Sequence, residues 1–183
     1  MDLMAEYSTP SQSIGPGSRV ATVTITATEP GTAQPGGGRI VSDAEIQTAL
    51  QGWIADGTVR AATADTLYFI YLPPGVVSTL GGDQSCTTYC GYHNHVRTTL
   101  FYAVEPYVTC SGCSAGQILD TQTKVSSHEL FEAITDPALN AWYDDTSGEE
   151  IGDICNSDTL TLGGYTVQSE WSQAQGACVV APH

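Results

Sequence analysis

Six cysteines constrain this chain more than any other feature. They fall as Cys86/Cys90, Cys110/Cys113 and Cys155/Cys178, in a sequence whose single lysine is Lys124. An even set in such a lysine-poor, Gly/Ser/Thr-rich chain points to an oxidising compartment. Six cysteines admit 15 pairings, and spacing alone does not choose among them. Because the three couples sit in three separate segments, sequential pairing is the expectation: Cys86 with Cys90, Cys110 with Cys113, and Cys155 with Cys178. The rival is a zinc site built from Cys86, Cys90, Cys110 and Cys113, which a secreted chain seldom keeps reduced.

The 183 residues fit one domain, long enough to bury a sizeable core. No run approaches the roughly 18–20 apolar residues of a membrane helix, so a soluble protein with no membrane partner is expected. Asp and Glu total 20 against 5 Lys and Arg, a formal charge of −15. That balance argues against nucleic acid, whose phosphates call for clustered Lys and Arg. It fits a secreted, monomeric protein kept soluble by its carboxylates. The opening "MDLMAEYSTP" has neither the basic start nor the apolar stretch of an export signal. A mature form with that segment removed is the expectation.

Residues 1–18 are polar and rich in Gly and Pro, and are expected to form a flexible arm ahead of a single globular domain at 19–183. "RVATVTITAT", Arg19–Thr28, alternates like a strand. Ser42 and Glu45 make a capping-box pattern, followed by Ile46, Ala49, Leu50, Trp53 and Ile54 at helical spacing, with Gly57 as the stop. "TLYFIYL", Thr66–Leu72, reads as a strand buried on both faces and ended by Pro73 and Pro74. "CTTYCGYHNH" reads as a loop, and Arg97–Val108 as a further strand. A helix is predicted from Gln122 to Thr135, stopped by Pro137. "NAWYDDTSGEEIGDICN" reads as an acidic loop or short helix, and the tail as two short strands held by Cys178. The fold class expected is α/β (α+β), with a small twisted sheet from Val20–Thr26, Leu67–Leu72 and Thr99–Val104 packed on the second helix.

That helix carries the chemistry. In "SSHELFEAITDP", His128 and Glu132 are four residues apart and share a helix face, so both can point at one metal ion. A zinc peptidase would carry His-Glu-x-x-His, with the intervening Glu as base on a zinc-activated water. Here a carboxylate stands in the second ligand position, and Glu129 holds the base position. The exchange weakens the ion's pull on that water and tilts preference toward harder ions such as Mn²⁺ or Ca²⁺. Asp136 lies one turn further on, roughly 9 Å past the midpoint of the pair at 1.5 Å rise per residue, so a straight helix keeps it from the same ion. "GEEIGDIC" offers Glu149, Glu150 and Asp153 instead, one to close the site and another to orient His128. His93 and His95 are reserve ligands. Tyr92, Tyr143 and His95 are candidates to stabilise an oxyanion. Against this stands a surface helix with a wet His/Glu face anchored by Leu130, Phe131 and Ile134, or an acidic loop bracing Ca²⁺. Trp53, Trp142 and Trp171, if exposed, would suit carbohydrate.

"YFIYLPPGV", "CTTYCGYHNH", "LFYAVEPYVTCSGC", "SSHELFEAITDP", "NAWYD", "GEEIGDIC" and a late "W…C" occur in an order that resembles the phosphate-induced, Exordium-like proteins. The resemblance runs from about Ile46 to Cys178. It implies a secreted protein with a diverged zincin-type helix and a zincin-like fold. It places His128, Glu129, Glu132 and Asp136 on the helix motif, and Glu150 and Asp153 on the downstream Glu-x-x-Asp-x-Cys segment. The function expected is a secreted zinc-dependent peptidase acting on a peptide or protein, with His128, Glu132 and Glu150 or Asp153 as ligands and Glu129 as base. The alternative is a non-catalytic extracellular module around a structural Ca²⁺.

Overall fold

Ser42 accepts the amide of Glu45 while the Glu45 carboxylate accepts the amide of Ser42, and this reciprocal pair starts α1, Asp43–Ala55. The computed structural model describes residues 2–110, 112–114 and 116–180. From α1, Ile46 and Leu50 turn inward onto Val41, Tyr92, Tyr102 and Val104, one of two hydrophobic clusters. The seven strands before the second helix are β1 (Thr32–Ala33), β2 (Arg39–Ser42), β3 (Leu67–Tyr71), β4 (Val76–Leu80), β5 (Asp83–Gln84), β6 (Tyr92–Val96) and β7 (Leu100–Glu105). They form two small sheets. One has the order β1-β2-β4-β5 with β2 and β4 parallel; the other has the order β3-β7-β6, with β7 parallel to β3 and antiparallel to β6. The helix α2, Ile118–Thr135, follows β7. Two hairpins complete the mixed α+β domain, β8 (Thr159–Leu162) with β9 (Tyr165–Gln168), and β10 (Glu170–Ser172) with β11 (Ala177–Val179).

Several expectations change. Arg19–Thr28 forms no strand: its backbone pairs with none of the described residues and Val20 and Val23 are exposed, so alternation there has no core face to fill. The first eighteen residues are not an arm throughout. Asp2–Tyr7 is a 3-10 helix, and Met4 is fully buried with Ile151 and Val179 in the second cluster. β3 is an edge strand with Tyr71 exposed, not a strand buried on both faces. "YHNHV" is strand rather than loop, because its backbone ladders onto β7. β4, unread in the sequence, lies beside β2.

The cysteines pair across segments rather than within them: Cys86 with Cys110, Cys90 with Cys113, and Cys155 with Cys178. Only the third couple is sequential. The antiparallel β6–β7 hairpin returns the chain to the place where it entered, so the loop before β6 lies against the loop leading into α2. Two bridges staple those loops together. With all six cysteines bonded, the four-thiolate zinc site is absent.

Helix α2 is held from two sides. Thr123 donates to the Thr166 carbonyl, Ser127 accepts the Gln168 amide, and Thr166 donates to Asp120, so one helix face docks on β9. A second stripe, Thr121, Val125, Glu129 and Glu132, is buried. The spacing is that of an ordinary core stripe, yet its lower half is acidic. Gly91 permits the approach of β6, since a Cβ there would meet Val125 Cγ1 at 2.5 Å and Glu129 Oε1 at 3.0 Å.

Candidate metal centre

The buried stripe makes the wet-face reading of α2 untenable: Glu129 and Glu132 occupy core positions, while Phe131 and Ile134 pack on the second cluster. Two groups of ligand atoms form around them. In the first, His128 Nε2 lies 3.0 Å from Glu132 Oε2 and 3.8 Å from Asp153 Oδ1. In the second, His93 Nδ1 lies 3.6 Å from Glu129 Oε2 and 3.8 Å from Glu132 Oε2. Glu132 belongs to both. Ligands about 2.0–2.1 Å from a tetrahedral zinc stand ~3.3 Å apart, so these separations bracket a ligand shell.

The downstream segment lies beside the helix motif through Asp153. The 3-10 helix Asp153–Cys155 is tied by Cys155–Cys178 to β11, and the Asp153 amide donates to Glu132 Oε1 at 3.2 Å. Gly152 gives it room, because a Cβ there would meet His128 Nδ1 at 2.7 Å and Glu132 Oε1 at 2.8 Å. Glu150 stands outside the first group, with Oε1 3.7 Å from His93 Nε2. Glu149 is exposed.

Other candidates fall elsewhere. The Asp136 Oδ1 accepts the amides of Asn140 and Ala141 and closes the end of α2; its backbone carbonyl, 3.2 Å from His93 Nε2, is what meets the site. His95 Nδ1 accepts the Thr98 amide in the β6–β7 turn, where Arg97 and Thr98 have positive φ, so it closes the hairpin rather than holding an ion. The Tyr92 hydroxyl donates to Asp43 on the α1 side, which removes it as an oxyanion donor. Tyr143, Trp142 and Trp171 line a cleft of about 550 Å³, whereas Trp53 packs on the first cluster, so the three tryptophans share no surface.

Sequence reasoning missed Glu105, Gln168 and Glu170. Glu105 ends the buried central strand β7 and Glu170 begins β10; both are fully buried, Glu105 with only the Ser126 hydroxyl near it and Glu170 with no hydrogen-bond partner. Glu150 Oε1 is likewise buried without one. Among the described residues no lysine or arginine comes within 4.0 Å of these carboxylates, since the one arginine ion pair is Arg39 with Glu29. The Gln168 amide nitrogen lies 2.7 Å from the Gly152 carbonyl and 2.8 Å from His128 Nδ1. A lone acid inside an apolar run, as in "LFYAVEP", was the available signal.

Crowded charge shows in the titration of both histidines and of four of the acids. Burial opposes the His128 imidazolium, but Glu132, Glu129 and Glu170 outweigh it and push its pKa up to about 10. Burial likewise opposes charge on His93, and Glu129, Glu150 and Glu132 raise it to about 9. Burial, then the field of Glu132, lifts Glu150 to about 8. Burial lifts Glu170 to about 9, and Glu105 and Asp153 are raised for the same first reason. Such carboxylates are neutralised either by protons or by a cation. The unpartnered oxygens, the ligand spacing and the Gly152 cradle all fit a divalent ion.

No family model, curated protein or solved structure matches the chain.

Proposed function

We propose that this protein is a secreted, metal-dependent hydrolase of the peptidase type, a zincin-like relative of the Exordium-like proteins, with its ion held by His128, Glu132 and Asp153. The observation that carries the reading is the approach of Glu132 Oε2 (3.0 Å) and Asp153 Oδ1 (3.8 Å) to His128 Nε2, beside a helix whose core stripe is acidic. Three disulfides, with no described helix long and apolar enough to cross a membrane, support an extracellular setting.

Zinc or manganese held there would supply a Lewis acid for a peptide carbonyl and for water. The chain's own groups divide the remaining work. Gln168 donates its amide to the Gly152 carbonyl and to His128 Nδ1, which fixes the ring and leaves a hydrogen on Nε2 toward Glu132 in the ion-free fold. An ion at Nε2 would replace that hydrogen, and the Gln168 amide would then have to turn to accept from Nδ1. Asp153 keeps its place through its amide on Glu132. The motif would make Glu129 the base, but its side chain is 4% exposed and directed at His93, whereas the Glu150 side chain is 19% exposed. Glu150 is therefore the residue assigned to take the proton from water. The preponderance of carboxylates favours a second reading, a Ca²⁺ that only braces the acidic loop.

Hydrolysis of a fluorogenic peptide mixture by metal-stripped, Zn²⁺-loaded, Mn²⁺-loaded and Ca²⁺-loaded protein separates the two. Activity should require Zn²⁺ or Mn²⁺. Glu150→Gln should keep the ion and lose about 100-fold or more in kcat, the usual scale for a general base. Full activity in that variant would return the role to Glu129, and inert protein with every ion except a tightly held Ca²⁺ would leave the bracing reading.

A further inference from the structure

His93 is held in a posture that the single-ion site does not use. Its Nε2 lies 3.2 Å from the Asp136 carbonyl, which can only accept, so Nε2 carries the hydrogen. Its Nδ1 faces Glu129 Oε2 at 3.6 Å and Glu132 Oε2 at 3.8 Å. Something positive has to lie between these atoms: a hydrogen on Nδ1, which makes the ring an imidazolium, or a cation in its place. A shared proton fits poorly, because both separations exceed hydrogen-bond length. They suit two ligands of one ion, for which ~3.3 Å is ideal. All three side chains are 4% exposed, so water does not screen the arrangement.

Charge leads to the same place. Glu105, Glu129, Glu132, Glu150, Asp153 and Glu170 gather around His93 and His128, and the fully buried carboxylate of Glu170 has no hydrogen-bond partner. Protons on the acids, the two imidazoles or cations must offset that charge, and an ion at His128 alone leaves the His93 side to the other two.

We infer that the protein holds a second divalent cation, between His93 Nδ1, Glu129 and Glu132, so that the centre is dinuclear and Glu132 serves both ions. The inference rests on the reading above for the first ion. It gives Glu129 a ligand role in place of the base role. It also gives "CGYH" a purpose: Gly91 lets β6 close on α2, and the Cys90–Cys113 bridge fixes the strand that carries His93. Carboxylate-bridged ion pairs are a recurrent device for hydrolysis, with both ions acting on the attacking and leaving oxygens.

The test is metal content of oxidised protein, shown to be free of thiols, after stripping, reloading with Zn²⁺ or Mn²⁺ and gel filtration. Wild type should carry two equivalents, His93→Gln one, Glu129→Gln one and Asp153→Ala one. Cobalt titration of stripped wild type, followed by its visible absorption, should show two breaks, a measurement that no misfolded variant can spoil. One equivalent in wild type, unchanged in His93→Gln, would overturn the second site and leave the first standing. No retained metal in wild type would overturn both. Two equivalents in Glu129→Gln would return Glu129 to the base role and remove it from the second site.

Discussion

Asp43 and Glu170 are carboxylates in the same domain with opposite surroundings. Asp43 opens α1 and is half-buried, and it accepts from the hydroxyls of Tyr92 (2.9 Å) and Tyr102 (2.6 Å) and from the amides of Gln47 (2.8 Å) and Asn94 (3.2 Å). Glu170 is fully buried and neither of its oxygens accepts anything. Both tyrosine hydroxyls beside Asp43 are held un-ionised, by burial first and then by Asp43. One region satisfies a carboxylate with neutral donors. The other gathers carboxylates around two imidazoles with few neutral donors, so protons or a cation must offset what the hydrogen bonds of the first region supply.

Metal removal should break the comparison with the largest effect. An ion present at about 100 times its Kd stabilises the folded state by ~2.7 kcal/mol, so two give about 5 kcal/mol. Chelation should therefore lower Tm by roughly 10–20 °C for a domain of this size, read by circular dichroism with the disulfides intact. A Tm indifferent to chelator and to added Zn²⁺, Mn²⁺ or Ca²⁺ would mean that protons alone neutralise the site.

Asp43→Ala provides the contrasting arm. It strands donors that now bond to a charged acceptor, a loss of about 2 kcal/mol after water reaches some of them. Tm should fall by roughly 4–8 °C, by the same amount with and without chelator. A chelator-dependent loss would show that the two regions are coupled through β6, whose Tyr92 and Asn94 bond Asp43 while His93 faces Glu129.

These two regions were unequally legible in the sequence. The α1 capping box, the β3 and β7 cores and most of α2 follow from local patterns: Ser42 with Glu45, apolar runs, and Pro137 as a stop. His128, Glu132 and Asp153 were readable as one group because helical spacing and a short downstream motif are local signals. The cysteine pairing was not, since Cys86–Cys110 and Cys90–Cys113 depend on where a hairpin returns the chain. Glu105, Gln168 and Glu170 were missed for the same reason: only tertiary packing sets them near α2, and nothing adjacent in sequence marks an acid as buried. Arg19–Thr28 failed in the opposite sense, with a strand-like pattern that has no sheet to join.

The smallest effect isolates Glu170 itself. Its ordinary pKa of 4.5 is pushed up to about 9, by burial first and then by Glu132 and Glu129 against the opposing field of His128. The folded, metal-free protein therefore binds more protons than the unfolded chain as pH rises from about 4.5 to about 9, and stability falls across that window. His93 and His128 act in the same direction, but only above their ordinary 6.5, so carboxyls dominate the slope between about pH 5 and 6.5. In metal-free protein, Glu170→Gln should flatten the decline of Tm in that interval without abolishing it, because Glu105 and Glu150 are raised too. Metal-loaded protein should show a weaker decline with or without the substitution, the cation having taken the place of the protons. An unchanged slope in metal-free Glu170→Gln would mean that Glu170 is ionised in the fold, and the contrast with Asp43 would then have to rest on Glu105 and Glu150 alone.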